Sequence, residues 1–317
     1  VLTRPRTLTP DNTTGLGRFS ERQIFNALRY GLRPGETADV EITGSTPGVG
    51  NFPAEPKYLA VPMPWPQYRH MTDADIRAVA AYLKRGVKPV RNRVPDSEGP
   101  PDFWRSYYVA DTVGAYPLPP FPAAGERMPD RGEVDMPTLL RGREIAITRV
   151  CGDCHGGLAN PDSPRWLNGV MYPFEEFPLG DCSAGPCMMQ RPRNITPDME
   201  TGIGRYTDRQ LFNALRYGLR PSGTPDVSIT SSTPGQGNHP MTPDYLGPFM
   251  PWMHWRHMPD ADLQALVAYL KHGVKPKVNK VQDSDAPPDK WASFVTPENV
   301  GSYPAPKFPT AHETGTP

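Results

Sequence analysis

The feature that most constrains the fold is an internal repeat held at one fixed offset. Phe25-Asn-Ala-Leu-Arg-Tyr-Gly-Leu-Arg-Pro34 recurs residue for residue from Phe212 to Pro221, an offset of 187. The same offset carries Thr9-Pro10-Asp11 onto Thr196-Pro197-Asp198 and Met63-Pro64-Trp65 onto Met250-Pro251-Trp252. It also carries Trp104 onto Trp291 and Phe121-Pro122 onto Phe308-Pro309, with no gap needed. Such a match is expected of two copies of one structural module. The expected division is residues 1–122 as a first module, 123–137 as a linker and 138–317 as a second module.

A chain of 317 residues has room for two domains, each able to bury a core. With 42 prolines, 29 glycines and 37% hydrophobic residues, much ordered loop and limited regular structure are expected. The formal net charge is zero, so charge gives no indication of nucleic acid or of an anionic membrane surface. No run approaches the roughly 18 apolar residues of a membrane helix, and Val1 does not open a signal peptide, so this piece is expected to be soluble by itself.

The regular structure that can be placed is helical. Ser20-Glu-Arg-Gln23 and Thr207-Asp-Arg-Gln210 have the capping-box pattern, and Gly31 and Gly218 suit the left-handed residue that ends a helix. A longer helix is expected from Thr72 to Gly86, with a copy from Asp260 to Gly273. A further helix through Leu139, Leu140, Ile145 and Ile147 ends at Cys151. The arms Val87 to Pro122 and Val274 to Pro309 hold too much proline for much helix or central strand. Residues Thr310 to Pro317 are expected to fray.

The chemistry centres on Cys151-Gly-Asp-Cys154-His155, because a Cys-x-x-Cys-His pentapeptide is the attachment signal of a c-type haem. The two thiols become thioether anchors and His155 the proximal iron ligand. A zinc site from Cys151, Cys154, Cys182 and Cys187, or a redox dithiol, are the rivals, and neither accounts for His155. The remaining cysteines, Cys182 and Cys187, flank a short polar stretch with Gly and Pro, where a disulfide fits an exported protein. Haem attachment of this kind likewise places the chain in the periplasm or outside the cell.

Electron transfer favours a second protein ligand, and methionine is the usual sixth ligand in cytochromes c. Met250 is expected to serve, with Pro251 stiffening its loop and Trp252 lying along the haem. Met258 and His257 are the alternatives that also recur in the first module, as Met71 and His70; Met253 and His254 are replaced there by Pro66 and Gln67. Met63 is expected to do for the first module what Met250 does for the second. The first module's own Cys-x-x-Cys-His would then lie upstream of Val1 or on a separate piece of polypeptide.

In order, Arg141-Gly-Arg-Glu-Ile-Ala, the pentapeptide, Asn194-Ile-Thr-Pro-Asp, Thr201-Gly-Ile-Gly204, Met250-Pro-Trp, Asp260-Ala-Asp-Leu and Ala268-Tyr-Leu resemble a module of the periplasmic multi-haem cytochromes c. These include the cytochrome c subunits of membrane-associated alcohol, aldehyde and sugar-acid dehydrogenases. The resemblance implies a mainly α-helical tandem of class I cytochrome c-like modules with long Pro-rich loops and arms. It implies His155 and Met250 as axial ligands and puts the loop from Asn194 to Asp198 beside the haem, near its propionates; the alternative for Arg191 and Arg193 is that they are simply solvated. The expected role is an electron carrier between a dehydrogenase and a terminal oxidase or another cytochrome, not an enzyme in itself. A di-haem peroxidase-like enzyme, or a filament-forming structural cytochrome, is the alternative.

Overall fold

The computed structural model describes residues 3–97, 101–109, 113–170, 177–179, 188–284 and 288–315. Helix dominates them. Among the described residues the one sheet is a two-stranded antiparallel ribbon, β1 (Phe177–Leu179) against β2 (Met188–Gln190), with Phe177 opposite Gln190. The chain divides into two units. Residues 1–118, 148–150 and 307–317 form the first, and residues 119–147 with 151–306 the second.

In the first unit α1 (Glu21–Tyr30) opens with a complete capping box: the Ser20 hydroxyl accepts from the Gln23 amide, and the Gln23 side chain accepts from the Ser20 amide. It stops at Gly31, whose φ of 69° is costly for any residue with a Cβ. A short α2 (Trp65–Tyr68) leads to α3 (Asp73–Ala81), capped by the Thr72 hydroxyl and continued by one π-helical turn, Tyr82–Gly86. Proline-rich though it is, the arm carries a further helix, α4 (Pro101–Tyr107). Its Trp104 and Tyr108 join Leu32, Ile42, Phe52, Tyr58 and Trp65 in one core.

The second unit contains α5 (Met136–Thr148), α6 (Cys151–His155), α7 (Asp208–Tyr217), α8 (Trp252–Trp255), α9 (Asp260–Ala268) with its π-helical turn Tyr269–Gly273, α10 (Pro288–Phe294) and α11 (Pro297–Val300). Helix α7 repeats α1 in detail, with Thr207 and Gln210 as its capping box and Gly218 at φ 71°. Asn26 and Asn213, buried on these helices, bond to the carbonyls of Val40 and Val227 at 3.1 and 3.0 Å. Arg29 and Arg216 are buried too, although one turn of helix with apolar neighbours gave no hint of it. Each guanidinium donates to a carbonyl, Arg69 or Arg256, and pairs with Asp73 or Asp260.

Two stretches differ from the sequence reading. Residues 123–128, expected as linker, bond along the end of the α9 turn: Arg127 N donates to Gly273 O at 2.8 Å and Lys275 N to Gly125 O at 3.0 Å. The terminal stretch, expected to fray, does the same in the first unit, where Thr314 N reaches Gly86 O at 2.9 Å and Lys88 N reaches His312 O at 3.0 Å. Backbone pairing with a partner far away in sequence has no local signature, which is why composition alone suggested loose chain.

Candidate functional site

Helix α5 positions the site. Its Leu139, Ile145, Ala146 and Ile147 are all buried, and Gly142 brings it close to α9. A Cβ on Gly142 would fall 2.0 Å from the Ala265 carbonyl oxygen and 2.6 Å from the Tyr269 Cβ, so no side chain fits there. On either side of this glycine an arginine ties α5 down. Arg141 grips Asp262 with two bonds of 2.9 Å, and Arg143 donates to Glu126 at 2.7 Å. Glu126 also accepts from the Tyr269 hydroxyl at 2.6 Å, which in turn accepts from Trp166 Nε1 at 2.9 Å. With Trp166, Tyr269 and Glu126 all at most 1% exposed, this is a buried polar network whose members satisfy one another.

The chain breaks between α5 and α6 at Val150, a β-branched residue with φ 58°. Beyond it, Cys151, Cys154 and His155 lie on one side of a short helix, because positions three and four apart share a face. Cys151 and His155 are buried and Cys154 half-buried. Burial, with Asp153 adding to it, pushes the Cys154 thiol up to about 11, the opposite of what an activated redox dithiol needs. Burial lowers the His155 pKa and so favours the neutral imidazole. Its Nδ1 lies 2.6 Å from the Arg193 carbonyl oxygen, which assigns the proton to Nδ1 and leaves Nε2 as the ring nitrogen with a lone pair.

The loop that supplies this carbonyl is held by Asn194. Its amide donates to Lys277 O at 2.7 Å and Thr201 Oγ1 at 3.0 Å, while its Oδ1 accepts from the Thr196 amide and hydroxyl. The side chain is thus directed into the protein, and its effect on the site is to fix the loop beside His155. Of Arg191 and Arg193, only the first is withdrawn from solvent. Arg191 is buried and donates to Asp283 O, and Arg193 donates to Val281 O at 2.6 Å and pairs with Asp283.

Met250 sits half-buried on a turn closed by its own amide bonding to Gly247 O at 2.9 Å. It packs against the core of Leu219, Ile229, Tyr245, Trp252 and Trp291. Trp252 stacks on Tyr245, ring centroids 5.9 Å apart and planes within 1°, and its indole lies where a Cβ on Gly218 would be, 2.2 Å from Cε2. The first unit repeats the arrangement with Trp65 on Tyr58 at 5.6 Å, Gly31 beneath the indole and Met63 half-buried two residues before Trp65. Of the alternative ligands, His257 faces Tyr303 of the arm at 5.6 Å, and Met253 belongs to the Trp252 core. Cys182 and Cys187 lie outside the described residues, so their proposed pairing and the four-cysteine zinc set do too. Among the described residues no three His, Cys, Asp or Glu side chains gather as a metal site.

Sequence reasoning missed the network of Glu126, Arg143, Trp166 and Tyr269. A signal was there: Glu126 and Tyr269 have counterparts at the repeat offset, Glu313 and Tyr82.

No protein-family model matches the chain. Curated relatives do. The fructose dehydrogenase cytochrome subunit of Gluconobacter japonicus is 26% identical over 269 residues, covering 83% of this chain and 43% of the relative. The gluconate 2-dehydrogenase cytochrome c subunit of Pantoea cypripedii is 26% identical over 283 residues, 83% of this chain and 49% of the relative. The cytochrome c subunit of the quinone alcohol dehydrogenase of Gluconacetobacter polyoxogenes is 25% identical over 299 residues, 94% of this chain and 53% of the relative. The chain therefore spans about half the length of these relatives. Among the described residues no helix is long and apolar enough to cross a membrane. Over most of its length, then, a mainly helical chain with a Cys-x-x-Cys-His helix is similar to the cytochrome c subunits of fructose, gluconate and alcohol dehydrogenases.

Proposed function

We propose that the chain is an exported c-type cytochrome of two class I-like modules, relaying single electrons from a dehydrogenase to a downstream acceptor, with no substrate chemistry of its own. The observation that carries this reading is α6, with two thiols and a buried imidazole on one side and the imidazole Nδ1 tied to the Arg193 carbonyl. That donor set fits haem c: thiols three residues apart, and a neutral ring whose Nε2 has a lone pair. When bound, the haem supplies an iron centre that takes up and gives up one electron.

The chain's residues supply the rest. Cys151 and Cys154 would hold the haem covalently through their sulfurs. The Arg193 carbonyl fixes the His155 ring and makes Nε2 a stronger donor. Met250 would hold the iron through a soft thioether, a donor that favours the reduced state. The apolar core behind it, Trp252 on Tyr245, excludes water from that side. A second haem is proposed for the first module, with Met63 as its methionine and a Cys-x-x-Cys-His segment from polypeptide beyond these residues. A dehydrogenase as electron donor is supported by the names of the relatives.

The test is mass spectrometry of denatured, digested protein. The peptide spanning residues 144–165 is expected to keep the mass of haem, and haem that extracts into acidified organic solvent overturns the assignment. Iron per chain in the natively purified protein then reads the second haem: near two is expected, and near one removes it.

A further inference from the structure

The two methionine turns are built alike but are held from outside in different ways. Met250 N donates to Gly247 O at 2.9 Å and Trp252 N to Met250 O at 2.8 Å; Met63 N donates to Ala60 O at 2.9 Å and Trp65 N to Met63 O at 2.8 Å. Against the second turn lies Gln190, the last residue of β2, only 6% exposed. Its Oε1 accepts at 3.3 Å from the amide of Phe249, the residue before Met250. A Cβ on Gly247 would fall 2.4 Å from that oxygen and 3.1 Å from the side-chain amide carbon, so a side chain there would push Gln190 off the turn. Gly247 is not among the left-handed glycines, so its lack of a side chain answers to Gln190 and not to the backbone. A backbone donor needs an acceptor, which orients the Gln190 amide with its oxygen on Phe249; Nε2 is buried without a partner among the described residues.

At the repeat offset the features of this contact are missing together. Ala60 replaces Gly247 and carries the Cβ, Pro62 replaces Phe249 and has no N–H to donate, and Thr3 replaces Gln190. Three positions differ as a set while the turn itself is kept, as expected if they serve one contact. The far side of that contact is anchored. Gln190 pairs with Phe177 across the ribbon, and the next residue, Arg191, donates its amide to Ser284 Oγ at 2.9 Å and its guanidinium to Asp283 O.

We propose that Gln190 is a positioning residue for the Met250 thioether, holding the methionine turn closed through the Phe249 amide. This rests on the reading of Met250 as the sixth ligand and deepens it: the second module's methionine is held in place by β2, and the first module's is not. The bond acts on the opening of the turn and not on the chemistry of the sulfur. Opening the turn breaks it, so it enters the competition between Met250 and any other ligand that reaches the iron.

The test uses the 317-residue chain produced in a host that attaches haem c, so that Cys151 and Cys154 are loaded. Imidazole is titrated into the oxidised protein, and loss of the sulfur-to-iron absorption band reads displacement of the thioether. Gln190→Leu is expected to lower the half-displacing imidazole concentration about three- to tenfold, the size of one hydrogen bond's contribution. Gly247→Ala and Phe249→Pro, which give the second turn the residues of the first, are expected to act in the same direction. Once Phe249→Pro has removed the donor, adding Gln190→Leu should change nothing further. Hydrogen exchange at the Phe249 amide, slow in the parent and fast in Gln190→Leu, reads the bond without reference to the iron. An unchanged imidazole midpoint in Gln190→Leu, or an effect that persists in full on top of Phe249→Pro, overturns the proposal, as does a Phe249 amide that exchanges freely in the parent. If Gln190→Leu does not fold, Phe249→Pro alone carries the reading, since the first unit keeps the same turn with proline at that place. Met250→Ala is measured alongside. If it loses the band, a null result for Gln190→Leu counts against Gln190 alone; if it keeps the band, the ligand reading falls and the proposal with it.

Discussion

Replacing Tyr269 by Phe removes one oxygen atom from the second unit, and the structure sets what that oxygen contributes. It donates to Glu126 at 2.6 Å and accepts from Trp166 Nε1 at 2.9 Å, inside a site where none of the three residues is more than 1% exposed. A hydrogen bond to a charged group contributes about 1.5–3 kcal/mol, and leaving a buried donor such as the Trp166 N–H without an acceptor costs about 1–3 kcal/mol. The two losses share one hydroxyl and are not additive, and Glu126 keeps Arg143 and the Ala123 amide, so about 2–4 kcal/mol is expected. With a urea m-value of about 2 kcal/mol/M, the unfolding midpoint of the second unit should fall by about 1–2 M. The assay is urea unfolding of the full chain followed by tryptophan fluorescence, with hydrogen exchange at residues 260–273 to assign the transition. Tyr82→Phe is the internal control, since its hydroxyl bonds Glu313 in a solvated setting, and it should leave the first unit's midpoint unchanged. Equal shifts for the two variants, or none for Tyr269→Phe, would refute the argument that burial and saturation make this network matter.

Gly218→Ala should destabilise the second unit by more than the roughly 1–2 kcal/mol of a left-handed alanine, because its Cβ would also overlap the Trp252 ring; circular-dichroism melting measures this, and a neutral result would mean the turn relaxes freely. Met250→Ala should lower the reduction potential and remove the sulfur-to-iron absorption band of the oxidised protein while the helical signal stays; an unchanged spectrum would move the ligand to Met258 or His257. Asp198 has its pKa lowered, first by the Thr201 amide and then by the Thr201 hydroxyl. Its stabilisation is therefore present above the ordinary value of 3.8 and lost as pH falls below it, so Asp198→Asn should flatten the acid limb of stability against pH. A limb of unchanged slope would count against it.

What was legible in the sequence was what is encoded locally. The capping boxes at Ser20 and Thr207 and the stops at Gly31 and Gly218 each depend on residues within four positions of each other, and the structure has them as read. The pentapeptide is equally local. The residues missed act at long range: Glu126 meets Tyr269 across 143 positions, and the Arg193 carbonyl reaches His155 across 38. A backbone carbonyl has no sequence signature at all. Arg29 and Arg216 were hidden for another reason, since arginine on an amphipathic helix normally faces water, and distant partners, the carbonyls of Arg69 and Arg256 with the carboxylates of Asp73 and Asp260, make burial tolerable.

The stretches before Met136 and at the chain's end carry a consequence for anyone who would take the protein apart. The period of the sequence and the period of the structure are out of phase. A gene cut after residue 122, where the repeat ends, strips residues 307–317 from the first unit and 119–122 from the second. A gene segment for residues 119–306 instead preserves every part of the second unit, and adds only residues 148–150 of the other. Recombination between copies of such a gene would therefore exchange nearly whole units at breakpoints near 118 and 306, while a breakpoint after residue 122 would leave the first half with a bare edge at Gly86, its partners at 312 and 314 staying with the second.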